Sequence, residues 1–433
     1  MKERSKTFCV YPWVEMMANT TGEHSYCCIA KQKSILKENK IPYRVGQDTF
    51  QDAWNSDFMK NLRKDMLDGK KISACETCYF QESIGQTSYR ERHNDYWTNK
   101  LGEDLDKRIE KSIENDYSVD DPPVYLDLRL GNLCNLKCRM CNHYNSSQIA
   151  KESSELLKKD HEFKKIFAHT FKTLKVRDYG TWYESNFMWD EIIGMIPHLK
   201  KVYLTGGEPT LIENNYRFMR EIINQNRQND VQLFFNTNTT NGKKEFLDLL
   251  EQFPNVSLNC SIDGYRAGND YIRYPSKWPK IEKVFIEYVK RQNINLNVTP
   301  VFQVYNVLSI SNLLSWVNTI YKKFDRRIGV DILINDSMPY LNVEILPIKV
   351  KILAAKRLQQ FSRGYPLYND NELVKNSVDS CIRLLTKSFK NEDKKQMEYF
   401  IKYTRSLDKS RNQKFKNYCP ELWQILKDNG YEV

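Results

Sequence analysis

The stretch VYLDLRLGNLCNLKCRMC, residues 124–141, joins a hydrophobic segment to three closely spaced cysteines. Its first part, VYLDLRL, predicts a β-strand, because leucines alternate with charged residues at the two-residue period of a strand. The cysteines follow at the spacing C-x3-C-x2-C and are Cys134, Cys138 and Cys141. Structural zinc sites and iron–sulfur clusters usually take four protein ligands. The triplet therefore predicts either a fourth ligand elsewhere or a metal site that keeps an open position.

The composition is that of a soluble globular protein. The 433 residues are 40% hydrophobic and 28% charged, with a formal net charge of +11. No run approaches the roughly 20 apolar residues that span a bilayer. The N-terminus starts with basic residues, but Glu15 interrupts its apolar run, so we do not predict a signal peptide. We expect a cytoplasmic protein without a membrane partner, in a reducing compartment where close cysteines bind metal more often than they form disulfides.

Strand and helix patterns alternate after Pro123. Further strands are predicted at residues 201–206, 231–237, 256–263, 295–304 and 329–335. Helices are predicted between them at 216–226, 243–253, 278–292 and 310–324. This alternation predicts an α/β fold with a parallel sheet and right-handed crossovers. Six strands are too few for a closed eight-stranded barrel, so we predict a partial barrel or an open sheet with functional loops at the carboxyl ends of its strands.

The chain divides into four predicted parts. These are a cysteine-bearing domain at 1–97, a polar linker at 98–122, an α/β core at 123–340 and a helical region at 341–433. The linker ends on Asp-Asp-Pro-Pro, which is typical of a turn. Within the core, residues from about 151 to 199 exceed a normal crossover. We therefore interpret this span, with its aromatic-rich segment at 174–191, as an insertion.

The triplet resembles the sequence signature of the radical S-adenosylmethionine (SAM) superfamily. The resemblance implies that Cys134, Cys138 and Cys141 bind a [4Fe–4S] cluster whose fourth iron is chelated by SAM. It implies reductive cleavage of SAM to a 5′-deoxyadenosyl radical, which abstracts hydrogen from a substrate, and a core folded as a partial (β/α)6 barrel. Met140 stands where the family usually carries an aromatic residue before the third cysteine, and it can lie flat against an adenine instead.

A segment after the second predicted strand resembles the family's motif for the SAM amine. Its sequence is TGGEP, and the residues implied to bind SAM are Gly206, Gly207, Glu208 and Pro209. Glycines allow backbone carbonyls to approach a ligand closely. The carboxylate of Glu208 can accept a hydrogen bond from an ammonium group.

Two later segments resemble further SAM contacts of the family. Asn238 lies in NTNTTNG, which resembles the segment near the SAM ribose, and CSIDG offers Ser261 and Asp263 as polar contacts. Arg273 can pair bidentately with the SAM carboxylate. A helix cap at Ser261 and a surface arginine at Arg273 remain open as alternatives.

The N-terminal cysteines resemble those of the twitch domain, the short relative of the SPASM domain. The pattern is C-x12-G-x4-C with a distant C-x2-C, and the resemblance implies an auxiliary [4Fe–4S] cluster on Cys9, Cys27, Cys75 and Cys78. Cys28 adjoins Cys27, and only the Gly-x4-Cys spacing favours Cys27. In better-known members this domain follows the core, whereas here it precedes it. A structural zinc stays open as an alternative, because C-x2-C pairs are common zinc ligands.

The resemblance as a whole predicts a radical SAM oxidoreductase of the maturase type, whose auxiliary cluster assists substrate oxidation. An external electron donor such as flavodoxin or ferredoxin is then expected. The substrate is either an anionic small molecule, which the basic charge balance favours, or a peptide. The alternative function is a zinc-stapled nucleic-acid-binding protein without SAM chemistry. Such a protein has no use for an incomplete cysteine triplet, so we do not expect a nucleic-acid partner.

Overall fold

The computed structural model describes residues 4–31, 33–83, 87–171, 181–335, 337–389 and 392–433. The chain forms two compact units. The first contains Met1–Gly131 and Asp178–Phe234, and the second contains Asn132–Arg177 and Phe235–Val433. The boundaries at 97, 122 and 340 stay predictions.

The first unit is built on a mostly parallel sheet. Its strands are β1 (Glu15–Ala18), β2 (His24–Ser25), β3 (Tyr125–Arg129), β4 (Lys201–Thr205) and the first half of β5 (Gln232–Thr237). They run in the order β2-β1-β3-β4-β5, with β1 parallel to β3 and β3 parallel to β4. The strand β1 was not predicted, because its four residues are all buried and show no alternating pattern.

A tight turn joins β1 to the antiparallel β2. Gly22 in this turn has a φ of +74°, in the left-handed region that glycine adopts without a steric penalty. Its N–H donates to Asn19 O at 2.9 Å. The side-chain oxygen of Asn19 accepts from the backbone N–H groups of Thr21 and Glu23, which closes the turn. A hairpin with its turn at Gly22 therefore lies between Cys9 and Cys27.

Side-chain capping marks the beginning of some helices in the first unit. The helices of this unit are Tyr11–Val14, Phe50–Trp54, Asp57–Leu67, Glu76–Ser83, Tyr89–Leu101, Glu103–Glu114, Asn186–Met195 and Glu213–Asn224. Thr49 and Ser88 each form a capping box with an acidic residue three positions later. The helix Glu103–Glu114 lies in the predicted linker at 98–122.

The second unit also contains parallel strands. They are the second half of β5, β6 (Val256–Cys260), β7 (Ile294–Val298), β8 (Val301–Phe302), β9 (Ile328–Val330) and β10 (Leu333–Ile334). The strands β6, β7 and β9 pair in that order, and β8 pairs separately with β10. The predicted strand at 295–304 is divided because Pro300 has no N–H to donate to a ladder.

Helices make up most of the second unit. They are Ser147–Lys159, His161–Phe167, Lys244–Glu251, Ala267–Ile272, Trp278–Val289, Ile310–Phe324, Ile348–Gly364, Pro366–Asn369, Glu372–Lys387, Lys394–Arg411, Phe415–Tyr418 and Pro420–Asp428. The predicted core helices and the helical C-terminal region are confirmed. Residues 172–180, in the predicted insertion, lie outside the described residues.

The predicted fold class is confirmed as a mostly parallel α/β sheet with helices. Neither unit's strand order closes on itself, which is consistent with the predicted partial barrel. Among the helices that the structure describes, none is long and apolar enough to cross a membrane.

Candidate functional site

The three cysteines of the triplet lie on one loop of the second unit. Cys134 and Cys138 are buried together with Leu136, and Met140 and Cys141 pack against them. The loop is tied down by its backbone, since Lys137 N donates to Tyr274 O at 2.6 Å and Arg139 N donates to Ile272 O at 2.8 Å. We call this segment, residues 133–144, the three-cysteine loop.

Two of the predicted SAM contacts donate hydrogen bonds to the cysteine sulfurs. Asn238 Nδ2 lies 3.9 Å from Cys134 Sγ, and Arg273 Nη1 lies 3.7 Å from Cys138 Sγ. Asn238 is oriented by Thr240, whose hydroxyl donates to Asn238 Oδ1 at 2.6 Å. Because N–H groups favour a charged sulfur over a neutral one, this surrounding suits thiolates.

Burial favours the protonated form of two free thiols of the loop. Burial raises the pKa of Cys138, although the nearby Arg273 opposes it, and burial also raises the pKa of Cys141. A metal ligand must be a thiolate, so metal binding displaces these protons. Two buried thiols and one partly exposed thiol, with an amide donor at one sulfur and a guanidinium donor at another, fit an iron–sulfur cluster with one open iron.

Arg273 and Asp263 form a buried ion pair next to this loop. Asp263 is fully buried, with Oδ2 at 2.5 Å from Arg273 Nε, and Oδ1 accepts from Val301 N at 2.6 Å. Arg273 is 8% exposed, which excludes a surface arginine. Ser261 donates its N–H to Thr237 O at 2.8 Å and is not a helix cap, because the next helix begins after Arg266.

The Gly-Gly-Glu-Pro segment follows β4 in the first unit. Gly206 has a φ of +120°, and a Cβ there would lie 2.9 Å from Gly131 O. The chain's own backbone thus requires a glycine at this position. Gly207 N donates to Gly131 O at 3.1 Å, and Pro209 begins a short 3-10 turn. Glu208 is buried, and its Oε1 accepts from the Thr210 hydroxyl at 2.6 Å.

The four predicted N-terminal ligands line one cavity of the first unit. They are Cys9, Cys27, Cys75 and Cys78. Cys28 does not line the cavity, and its Sγ donates to Tyr89 OH at 3.6 Å. In the described part of the chain, no three His, Cys, Asp or Glu side chains converge on a single metal ion, so the fit of a cluster is judged from the chemistry of the cysteines and their shared cavity. We call the cavity the four-cysteine cavity.

A buried arginine accompanies these cysteines. Arg90 lines the cavity, pairs with Glu82 at 2.6 Å and donates to Phe8 O at 2.6 Å. Burial raises the pKa of Cys75 to about 11, and the positive charge of Arg90 opposes this shift. No sequence motif connects Arg90 to the distant Cys9, so its position beside these cysteines was not predicted. A four-iron cluster with four thiolate ligands carries a net negative charge, which a nearby cation such as Arg90 stabilises. The residues that line the cavity therefore suit such a cluster.

Two segments of the chain match known protein families. Residues 128–317 match the radical SAM superfamily, and residues 9–79 match the SPASM iron–sulfur cluster-binding domain. No curated protein matches the sequence.

Several solved structures are similar at low identity. Native anSMEcpe with bound AdoMet is 16% identical with a TM-score of 0.35, over 57% of this chain and 61% of that one. SuiB of Streptococcus suis bound to S-adenosylmethionine is 13% identical with a TM-score of 0.35, over 67% and 58%. SuiB bound to the precursor peptide SuiA has the same identity and TM-score, over 72% and 62%. The chain thus spans about three fifths of the length of these structures.

The family matches cover the two sets of cysteines separately. The radical SAM match contains the three-cysteine loop, and the SPASM match contains Cys9, Cys27, Cys75 and Cys78. The unusual order, with the auxiliary domain before the core, is confirmed. The chain therefore contains a radical SAM domain at residues 128–317, preceded by a SPASM-type cluster-binding domain at residues 9–79.

Proposed function

We propose that this chain is a radical SAM oxidoreductase in which Cys134, Cys138 and Cys141 hold the SAM-binding [4Fe–4S] cluster. When bound and reduced, the cluster supplies the electron that cleaves SAM to methionine and a 5′-deoxyadenosyl radical, which takes a hydrogen atom from the substrate. The observation that carries this proposal is the convergence of Asn238 and Arg273 on the sulfurs of the three-cysteine loop.

In this proposal the chain's own residues hold and tune the site. Arg273 donates to the Cys138 sulfur, and Asp263 holds its guanidinium in place. Hydrogen bonds to cluster sulfurs are one of the ways in which proteins set cluster potentials. Met140 packs beside the cysteines and offers a flat, polarizable surface to the adenine.

The other SAM contacts are proposed from the motifs. Glu208, with Gly206, Gly207 and Pro209, receives the SAM amine, and Ser261 is a further polar contact for SAM. The glycine at 206 is also a requirement of the backbone, so its presence supports the segment's conformation rather than a particular ligand.

We assign the four-cysteine cavity to an auxiliary [4Fe–4S] cluster on Cys9, Cys27, Cys75 and Cys78. Four protein ligands leave no iron open, which favours electron transfer over Lewis-acid chemistry. Held by these four cysteines, such a cluster would supply an electron acceptor, which is consistent with an overall reaction that removes two electrons from the substrate.

The substrate is an anionic small molecule or a peptide, and an external donor such as flavodoxin or ferredoxin supplies the electron. The net charge of +11 favours an anionic partner. The radical SAM match favours this function over the zinc-stapled nucleic-acid-binding protein.

Anaerobic reconstitution with iron and sulfide tests the proposal. We expect about eight irons per chain, from two four-iron clusters, and 5′-deoxyadenosine formation that depends on both SAM and a reductant. A cluster-loaded protein that forms no 5′-deoxyadenosine contradicts the proposal. One zinc per chain without iron in the N-terminal domain supports the zinc alternative there.

A further inference from the structure

The helix Lys394–Arg411, which we call the long C-terminal helix, lies beyond the radical SAM match at 128–317. It belongs to the same compact unit as the three-cysteine loop. Eight of its residues are buried, and they include ionisable side chains as well as apolar ones. Buried charges are costly unless they are paired, so their partners show what this helix holds in place.

Arg139 is the first of these partners. It lies between the second and third cysteines of the loop and is fully buried. Its Nε donates to Tyr271 O at 3.0 Å, and its Nη2 donates to Asp408 Oδ1 at 2.5 Å and to Gln413 Oε1 at 3.0 Å. Its guanidinium also stacks on the Tyr271 ring at 3.6 Å. The side chain of Arg139 is thus held on several sides, and with it the backbone of the loop.

Asp408 connects the long C-terminal helix to this cation. Its carboxylate also accepts from Tyr271 OH at 2.8 Å and from Phe415 N at 2.6 Å. Earlier on the same helix, Tyr403 OH donates to the carbonyl oxygen of Arg139 at 2.8 Å. The helix therefore holds both the side chain and the backbone of Arg139.

A second ion pair joins Arg411, the last residue of the helix, to Glu152. Glu152 in turn contacts Lys137, which precedes Cys138 in the sequence. Arg411 donates through Nε at 3.0 Å and Nη2 at 2.6 Å to the carboxylate of Glu152. Glu152 lies on the helix Ser147–Lys159 and also accepts from Lys137 Nζ at 3.3 Å. Arg411 and Glu152 are 5% and 4% exposed, so water screens this pair little.

We propose that Asp408 and Arg411 are positioning residues for the three-cysteine loop, so that the C-terminal region completes the SAM-cleaving site. Arg139 and Lys137 flank Cys138 in sequence, and each is fixed through an ion pair that reaches the long C-terminal helix. Fixing both neighbours sets the direction of the cysteine sulfur. This inference rests on the proposed function, because it concerns the cluster proposed for that loop.

The test compares full-length Asp408→Asn with Lys409→Ala, which changes an exposed residue of the same helix. Both proteins are reconstituted anaerobically and challenged with an iron chelator. Groups that orient metal ligands are worth about 10–100-fold in metal affinity, so we expect Asp408→Asn to lose one four-iron cluster at least about tenfold faster. The reduced cluster should also show a smaller change in its electron paramagnetic resonance spectrum when SAM is added. Lys409→Ala should match the wild type in both measurements.

A second pair of variants decides the matter if Asp408→Asn does not fold, as judged by gel filtration and circular dichroism. Arg411→Gln removes the charge that pairs with Glu152, and Arg411→Lys restores it. We expect faster iron loss in Arg411→Gln and partial recovery in Arg411→Lys. Folded variants that keep wild-type iron retention and SAM response overturn the inference. A wild-type protein that binds no cluster on the loop contradicts the proposed function instead.

Discussion

The three-cysteine loop and the four-cysteine cavity assemble their sulfurs in opposite ways. The loop takes its cysteines from one short segment, whereas the cavity takes Cys9, Cys27, Cys75 and Cys78 from separate parts of the chain. Residues close in sequence are brought together at little entropic cost, but a loop has few contacts of its own to hold it rigid. Distant residues need a formed tertiary structure first. One site therefore depends on neighbours for orientation, and the other depends on the fold for its existence.

The largest effect is expected from removing a cysteine of the loop. Cys138→Ala takes away one of three sulfurs and leaves the guanidinium of Arg273 without its acceptor at that sulfur. We expect 5′-deoxyadenosine formation to fall to background and the iron content to fall by about four per chain. Product analysis and iron counting measure both. Cys260→Ala, at a buried cysteine outside both sites, is the matched control and should keep both properties.

The next test removes two ligands of the cavity. Cys75→Ala/Cys78→Ala should also lower the iron content by about four per chain, while SAM cleavage without substrate persists. The reason is that the three-cysteine loop retains all of its sulfurs. An unchanged iron count would remove the auxiliary site from the proposal. Loss of SAM cleavage in a folded variant would make the two sites interdependent rather than separate.

A finer test distinguishes the adjacent thiols in the N-terminal domain. Cys27 lines the cavity and Cys28 does not, so Cys27→Ala should cost about four irons and Cys28→Ala none. The two variants are controls for each other, since they remove the same atom from neighbouring positions. Retention of iron in Cys27→Ala together with loss in Cys28→Ala would reverse the assignment.

The smallest effect concerns the stability of the unit that contains the cavity. Burial lowers the pKa of His24 from its ordinary value of 6.5 to about 4. The unfolded chain therefore takes up this proton first as the pH falls, so His24 contributes stability above pH 6.5 that is lost as the pH falls toward 4. The cost between pH 7 and 4.5 is about 2 to 3 kcal/mol.

The variant His24→Gln separates this contribution from other acid effects. Glutamine does not titrate and can still donate to Asp48 O, which lies 3.4 Å from His24 Nε2. Urea denaturation at the two pH values should show a smaller loss of unfolding free energy in the variant than in the wild type. Equal losses would mean that His24 titrates normally in the folded protein.

Sequence patterns predicted the alternating strands and helices of the core well. Helices such as Trp278–Val289 and Ile310–Phe324 have apolar residues at helical spacing, which is visible in the sequence. The strand β1 was not predicted because a fully buried strand does not alternate between apolar and polar residues. The predicted strand at 295–304 is divided into two strands at Pro300. The alternation of apolar and polar residues therefore does not predict a strand that is buried on both faces, and it does not show where a proline interrupts a strand.

The chemistry of the two sites divides in the same way. The sequence by itself identified both domain families, the cysteine triplet and the residues proposed to bind SAM, because these rest on short motifs. It also identified the N-terminal cysteines, which lie far apart but keep a family spacing. Only the tertiary structure placed Cys27 rather than Cys28 in the cavity, paired Asp263 with Arg273, and brought Asp408 to Arg139. The physical reason is that side-chain direction and ion pairing depend on burial and packing, which no local pattern encodes. Asp408 and Arg139, for example, are 269 residues apart in the sequence.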